Sequence, residues 1–80
     1  MARTLQIFRF WDIQTTSEAA RISIADDQGQ EYWMKVLKPG TGRGWREARH
    51  QAIEQIQDAM DAGEPPGEVV VDRKADAVAS

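Results

Sequence analysis

Two stretches of alternating apolar residues face each other across a glycine turn, and this comb constrains the fold more than anything else in the chain. Ala20, Ile22 and Ile24 precede Asp27-Gln28-Gly29, and Tyr32, Met34 and Val36 follow it. A three-residue loop with Gly29 in the left-handed conformation, which glycine adopts without a Cβ penalty, joins strands 19–26 and 30–37 into a β-hairpin. That loop sets Ile24 opposite Tyr32, Ile22 opposite Met34 and Ala20 opposite Val36. One face is then wholly apolar, and a slip of one residue would turn all of it to water. The other face receives Arg21, Ser23, Trp33 and Lys35.

Around this hairpin the remaining elements fall into place. Residues 3–13, RTLQIFRFWDI, are rich in aromatic and β-branched residues and predict a strand. Leu5, Ile7, Trp11 and Ile13 share one face with Arg9, while Phe8 and Phe10 take the other. Such a strand requires either cover on both faces or a bulge near Phe8 that shifts the phase. The segment PGTGRG (39–44) ends the hairpin. Trp45, Ala48, Ala52, Ile53, Ile56, Ala59 and Met60 then recur at helical spacing, predicting a helix over 44–62 with Gly63 as its C-terminal cap and Pro65-Pro66 beyond. EVVVD (68–72) can add an edge strand. The expected fold is α+β: a three-stranded, possibly four-stranded, antiparallel β-sheet packed against one C-terminal α-helix in β-β-β-α order. It forms a single domain over 1–72, followed by a disordered tail at 73–80.

Composition narrows the class. With 80 residues and no cysteine, the chain has neither disulfides nor thiolate metal sites to supplement a thin core. No apolar run approaches the roughly 20 residues that span a bilayer, and the N-terminus lacks the apolar core of a signal peptide. A soluble, cytoplasmic protein with no membrane association is the expectation. The net charge of −3 divides unevenly: residues 1–50 carry a balance of +2 and residues 51–80 one of −5.

Catalytic chemistry is not visible. His50 is the sole histidine, and with Arg46, Arg49 and Glu54 a turn away it makes a poor metal site. Ser17, Ser23 and Ser80 lack a nucleophile-elbow setting, and Asp26-Asp27 are accounted for by the turn. The chain is expected not to be an enzyme and to need no metal or small-molecule cofactor.

Two surfaces can carry binding. If the apolar comb lies under the helix, Phe8, Phe10, Arg21, Trp33 and Lys35 share the opposite sheet face. Aromatics among cations suit a protein interface; the alternative is a second small core that buries them. The second surface is the glycine loop and helix start, where Lys38, Gly42, Arg43, Arg46 and Arg49 could bind an anion or nucleic acid, with Trp33 or Trp45 stacking on bases. Arginines at the start of the helix, with Asp58 and Asp61 near its end, oppose the helix dipole. Drifting surface charge, with Arg43 and Glu47 paired at i,i+4, is the alternative there. The acidic series Glu54, Asp58, Asp61, Glu64, Glu68 and Asp72 suits a solvated face. The leading expectation is a non-catalytic protein-binding module that binds another protein or itself as a homodimer. Its size and build are similar to those of small inhibitors from phage and mobile elements, anti-CRISPR proteins among them, though no motif carries that likeness. Nucleic-acid binding is the alternative.

Overall fold

The structure, a computed structural model, describes residues 2–70. Strands β1 (Thr4–Asp12), β2 (Ser17–Ala25) and β3 (Glu31–Leu37) are followed by helix α1 (Gly42–Asp61) and a two-residue strand, β4 (Gly67–Glu68). The sheet order is β1-β2-β3-β4. The chain is thus an α+β sheet with one covering helix. The domain boundary at 72 and the tail at 73–80 lie outside the described residues.

The hairpin has the register that its alternation demands. Ile24 pairs with Tyr32, Ile22 with Met34 and Ala20 with Val36. Gly29 has φ +83°, and its amide donates to the Asp26 carbonyl at 3.1 Å. One carboxylate oxygen of Asp26 accepts from the amides of Gln28 and Gln30, both at 2.9 Å, so the turn carries its own side-chain brace. Its partner Asp27 stands exposed at the tip.

The core is a single layer between α1 and the two central strands. Ile22, Ile24 and Tyr32 meet Ala52, Ile56 and Ala59, all buried, with Met34, Val36, Trp45, Ile53 and Met60 packed around them. The alanines let the helix approach the sheet closely, and Ile22 and Ile56 are completely enclosed. Gly63 (φ +76°) ends the helix as expected. Its amide reaches the Met60 carbonyl, and the Glu64 amide reaches that of Ala59, which together form a Schellman cap. The Tyr32 hydroxyl donates to the Glu64 carbonyl at 2.7 Å and pins the helix end to β3.

Two features differ from expectation. Where a strand over 68–72 was expected, β4 covers Gly67–Glu68, residues 69 and 70 lie outside it and residues 71 and 72 lie outside the described residues; β4 runs parallel to β3. A helix connects the two, and a helical crossover returns the chain in the same direction. The other difference is β1. It pairs with β2 without a bulge, from Thr4 opposite Ala25 to Asp12 opposite Ser17. Nor is it covered on both faces. Leu5, Ile7, Arg9 and Trp11 lie on the helix side and Gln6, Phe8 and Phe10 on the far side, yet most of the strand is exposed. The double-sided apolar pattern is a property of the surface.

Ile56→Ala or Ile22→Ala should cost about 2–5 kcal/mol through lost burial and an unfilled cavity, a large part of the stability of a domain this small. Urea unfolding followed by tryptophan fluorescence checks this. A loss below about 1 kcal/mol at both positions contradicts the single-layer core.

Candidate functional site

The far face of the sheet brings together the five residues singled out there, but their charges are already engaged. Phe8, Arg21 and Lys35 form one cross-strand row, and Trp33 stands one row along, opposite Ser23. Phe8 and Phe10 are stacked with centroids 6.0 Å apart. The Arg21 guanidinium lies 4.5 Å from the centre of the Trp33 ring and donates to Glu31 at 3.3 Å. Lys35 donates to Asp12 at 3.0 Å. Ala19, in β2 on the same face, is fully buried, and its small side chain lets Lys35 cross to β1. Trp33 is half-buried, Phe10 likewise, and Phe8 is exposed.

Asp12 organises the corner of this face. Besides the bond from Lys35, it accepts the Gln14 amide at 3.0 Å and so forms the turn into β2. The Lys35 ammonium holds its carboxyl below the usual carboxylate range. Burial works the other way, while the Gln14 amide and the Thr15 hydroxyl add to the depression.

The second predicted surface is laid out differently. Gly40 and Gly42 have positive φ, and Thr41 precedes the helix without a side-chain cap bond. Arg43 and Arg46 are exposed in the first turns, Arg49 is half-buried, and no acidic residue occupies the first turn. Lys38 takes a left-handed conformation (φ +51°) at the end of β3. Among the described residues, no ion pair joins Arg43 to Glu47; within the helix it is the His50 ring that lies against Glu54, at 2.8 Å. Trp45 does not stand open for stacking, because Arg9 of β1 lies over its ring at 5.3 Å. The Arg9 guanidinium also donates to the Gly40 carbonyl and to Glu18, both at 2.9 Å.

Sequence reasoning named Phe8 and Phe10 of β1 as binding residues but missed the exposed apolar residues beside them on the same strand. Among the described residues, the exposed large apolar side chains are Leu5 (47%), Ile7 (37%), Phe8 (65%), Trp11 (65%) and Ile13 (81%), with Leu37 and Val70 elsewhere. All five of the first group belong to β1 or its first following residues. The backbone makes this strand more than a greasy patch. The Lys38 amide bonds to Glu18 and the Asp26 amide to Gln30, so the even-numbered residues of β2 face β3. Its odd-numbered residues therefore face β1, and through the β1–β2 register these are the partners of Thr4, Gln6, Phe8, Phe10 and Asp12. The amides and carbonyls of Leu5, Ile7, Arg9 and Trp11 point outward along a sheet edge that no strand pairs among the described residues. A signal for this was present: one helical stripe cannot cover three strands, and β1 is apolar on both faces.

Among the described residues, no group of three or more histidine, cysteine or acidic side chains could hold a metal ion, and no helix is long and apolar enough to cross a membrane. The depression lined by Arg9, Phe10, Trp11 and Glu18 is open to solvent and adjoins the same strand. Family models, curated proteins and solved structures give no match to the chain.

Asp12 yields a pH prediction. The unfolded carboxyl titrates near about pH 4 and the folded one lower, so the folded state binds fewer protons in between. Its stabilising contribution is present above that pH and is lost as the pH falls through the folded value. Asp12→Asn should lower the urea midpoint at neutral pH, with the gap to the parent narrowing as the medium is acidified. A gap constant across the acid range contradicts the Lys35 pairing.

Proposed function

We propose that this chain is a non-catalytic protein-binding module that engages its partner along β1. The observation that carries this reading is a coincidence on one strand: outward-facing backbone donors and acceptors, and exposed leucine, isoleucine, phenylalanine and tryptophan side chains on both sides of it. A free edge of this kind is a template for an added strand. Main-chain hydrogen bonds supply affinity in such complexes, and alternate side chains supply specificity. The stacked Phe8–Phe10 pair extends the surface onto the open sheet face, where Arg21, Trp33 and Lys35 border it.

An inhibitor of the phage or mobile-element type, acting in the cytoplasm, is the finer form of the reading; size and build alone support it. The nucleic-acid alternative draws on exposed Arg43 and Arg46 beside the glycine loop. It is the weaker of the two. Lys35 is paired with Asp12, and both stacking candidates, Trp33 and Trp45, already carry an arginine over the ring.

The test is a photo-crosslinking residue at Gln6, which is exposed on β1, in cells that naturally carry the chain. The expected adduct is protease-sensitive and nuclease-resistant, and it disappears with Ile7→Pro. Proline at this position removes an outward amide and leaves the bonds to β2 in place. A nuclease-sensitive adduct, or none, would overturn the reading.

A further inference from the structure

Resting on the reading of β1 as a protein-binding edge, we infer that its occupant is β1 of a second copy of this chain. The copies pair antiparallel about a two-fold axis at Phe8 and fuse two four-stranded sheets into one. The edge is already a template for a strand. Three features of the chain point to this one.

The first is register. A two-fold axis normal to the sheet keeps like faces on the same side, so each side chain meets one of its own face. Centring the axis on Phe8 overlaps all nine residues of β1, from Thr4 opposite Asp12 of the second copy to the reverse. The outward backbone groups of Leu5, Ile7, Arg9 and Trp11 then form the hydrogen-bonded pairs. Phe8 meets its mate at a non-hydrogen-bonded position, where strands bring side chains closest. Shifting the centre to Arg9 leaves Leu5 beyond the paired strand. Shifting it to Ile7 leaves Trp11 beyond the paired strand.

The second feature is side-chain complementarity in that register. Leu5, which the helix leaves exposed, lies opposite Trp11, the large exposed side chain at the other end of the strand. On the far face, the stacked Phe8–Phe10 pair joins its counterpart into a continuous aromatic row.

The third feature is the absence of protection. Edge strands that must stay single are shortened, bulged, or given charges or prolines. The opposite edge, β4, has two residues directly after Pro65-Pro66. β1 has nine, no bulge and no proline, and the single cation on its helix side, Arg9, is drawn inward over Trp45 and onto Gly40 and Glu18.

Charge-swapped variants at the axis test both the partner and the register. Light scattering of the parent should give twice the mass of one chain. Phe8→Arg and Phe8→Asp, each alone, should give the mass of one chain, since each sets like charges face to face. Mixed, they should restore the doubled mass, with native mass spectrometry showing one chain of each kind. Ile7→Pro should also halve the mass, while amide exchange at Gln6, Phe8 and Phe10 stays as slow as in the parent, showing that the fold is kept. A parent of single-chain mass at every concentration overturns the inference, as does an Ile7→Pro variant that stays double. A mixture of the two Phe8 variants that fails to pair overturns the register and the inference with it. These failures are distinct from failure of the broader reading. A single-chain parent whose Gln6 crosslinks to a different polypeptide retains protein binding and excludes the homodimer.

Discussion

The contact between Ile56 of α1 and Ile22 at the middle of β2 is the point from which the rest of the structure hangs. Both side chains are completely enclosed. The other buried members of this cluster, Ile24, Tyr32, Ala52 and Ala59, are grouped around them. A helix about 10 Å across laid on strands about 4.8 Å apart shelters roughly two of them. Here those two are β2 and β3, and the third long strand is left over. The exposed aromatics and aliphatics of β1 follow from this geometry, since no second helix exists among the described residues to cover them.

β1 is held in place by its ladder to β2 and by two arginines that reach the helix from its ends. Arg3 pairs with Asp61 at 2.9 Å, and Arg9 spans Trp45, Gly40 and Glu18. Arg3 also brings a positive charge to the C-terminal end of a helix that has no basic residue in its last turn. Exposed ion pairs of this kind are each worth about 0–1 kcal/mol. Their service is to position the strand, and in Arg9's case to withdraw from the edge the charge that would otherwise guard it. Among the described residues the sheet is consequently asymmetric, with a short, proline-flanked edge at β4 and a long, unpaired one at β1.

Much of this was legible beforehand. The alternation of Ile22, Ile24, Tyr32 and Met34 fixed the facing, because a slip of one residue would turn the apolar set to the other face, and the short loop at Gly29 fixed which pairs meet. The helix stripe and Gly63 placed the lid. The assembly of Phe8, Phe10, Arg21, Trp33 and Lys35 on one face followed from period-two geometry alone. Less legible was the state of those residues. Arg21 and Lys35 find their acids at Glu31 and Asp12, 10 and 23 residues away in sequence, and such pairings depend on which strands lie side by side. β1 was the hardest element to read. Apolar residues on both faces fit a buried strand as well as an exposed edge, and local pattern does not distinguish them.

By itself, the sequence determined the identity of the elements, the hairpin register and the face that meets the helix, since these rest on local periodicity and on turn chemistry acting over a few residues. The tertiary structure alone decided which strand went uncovered, which way the last strand ran and which cations were neutralised. Those outcomes depend on the width of one helix relative to the width of the sheet and on where the crossover delivers the chain. No stretch of sequence read in isolation contains either quantity.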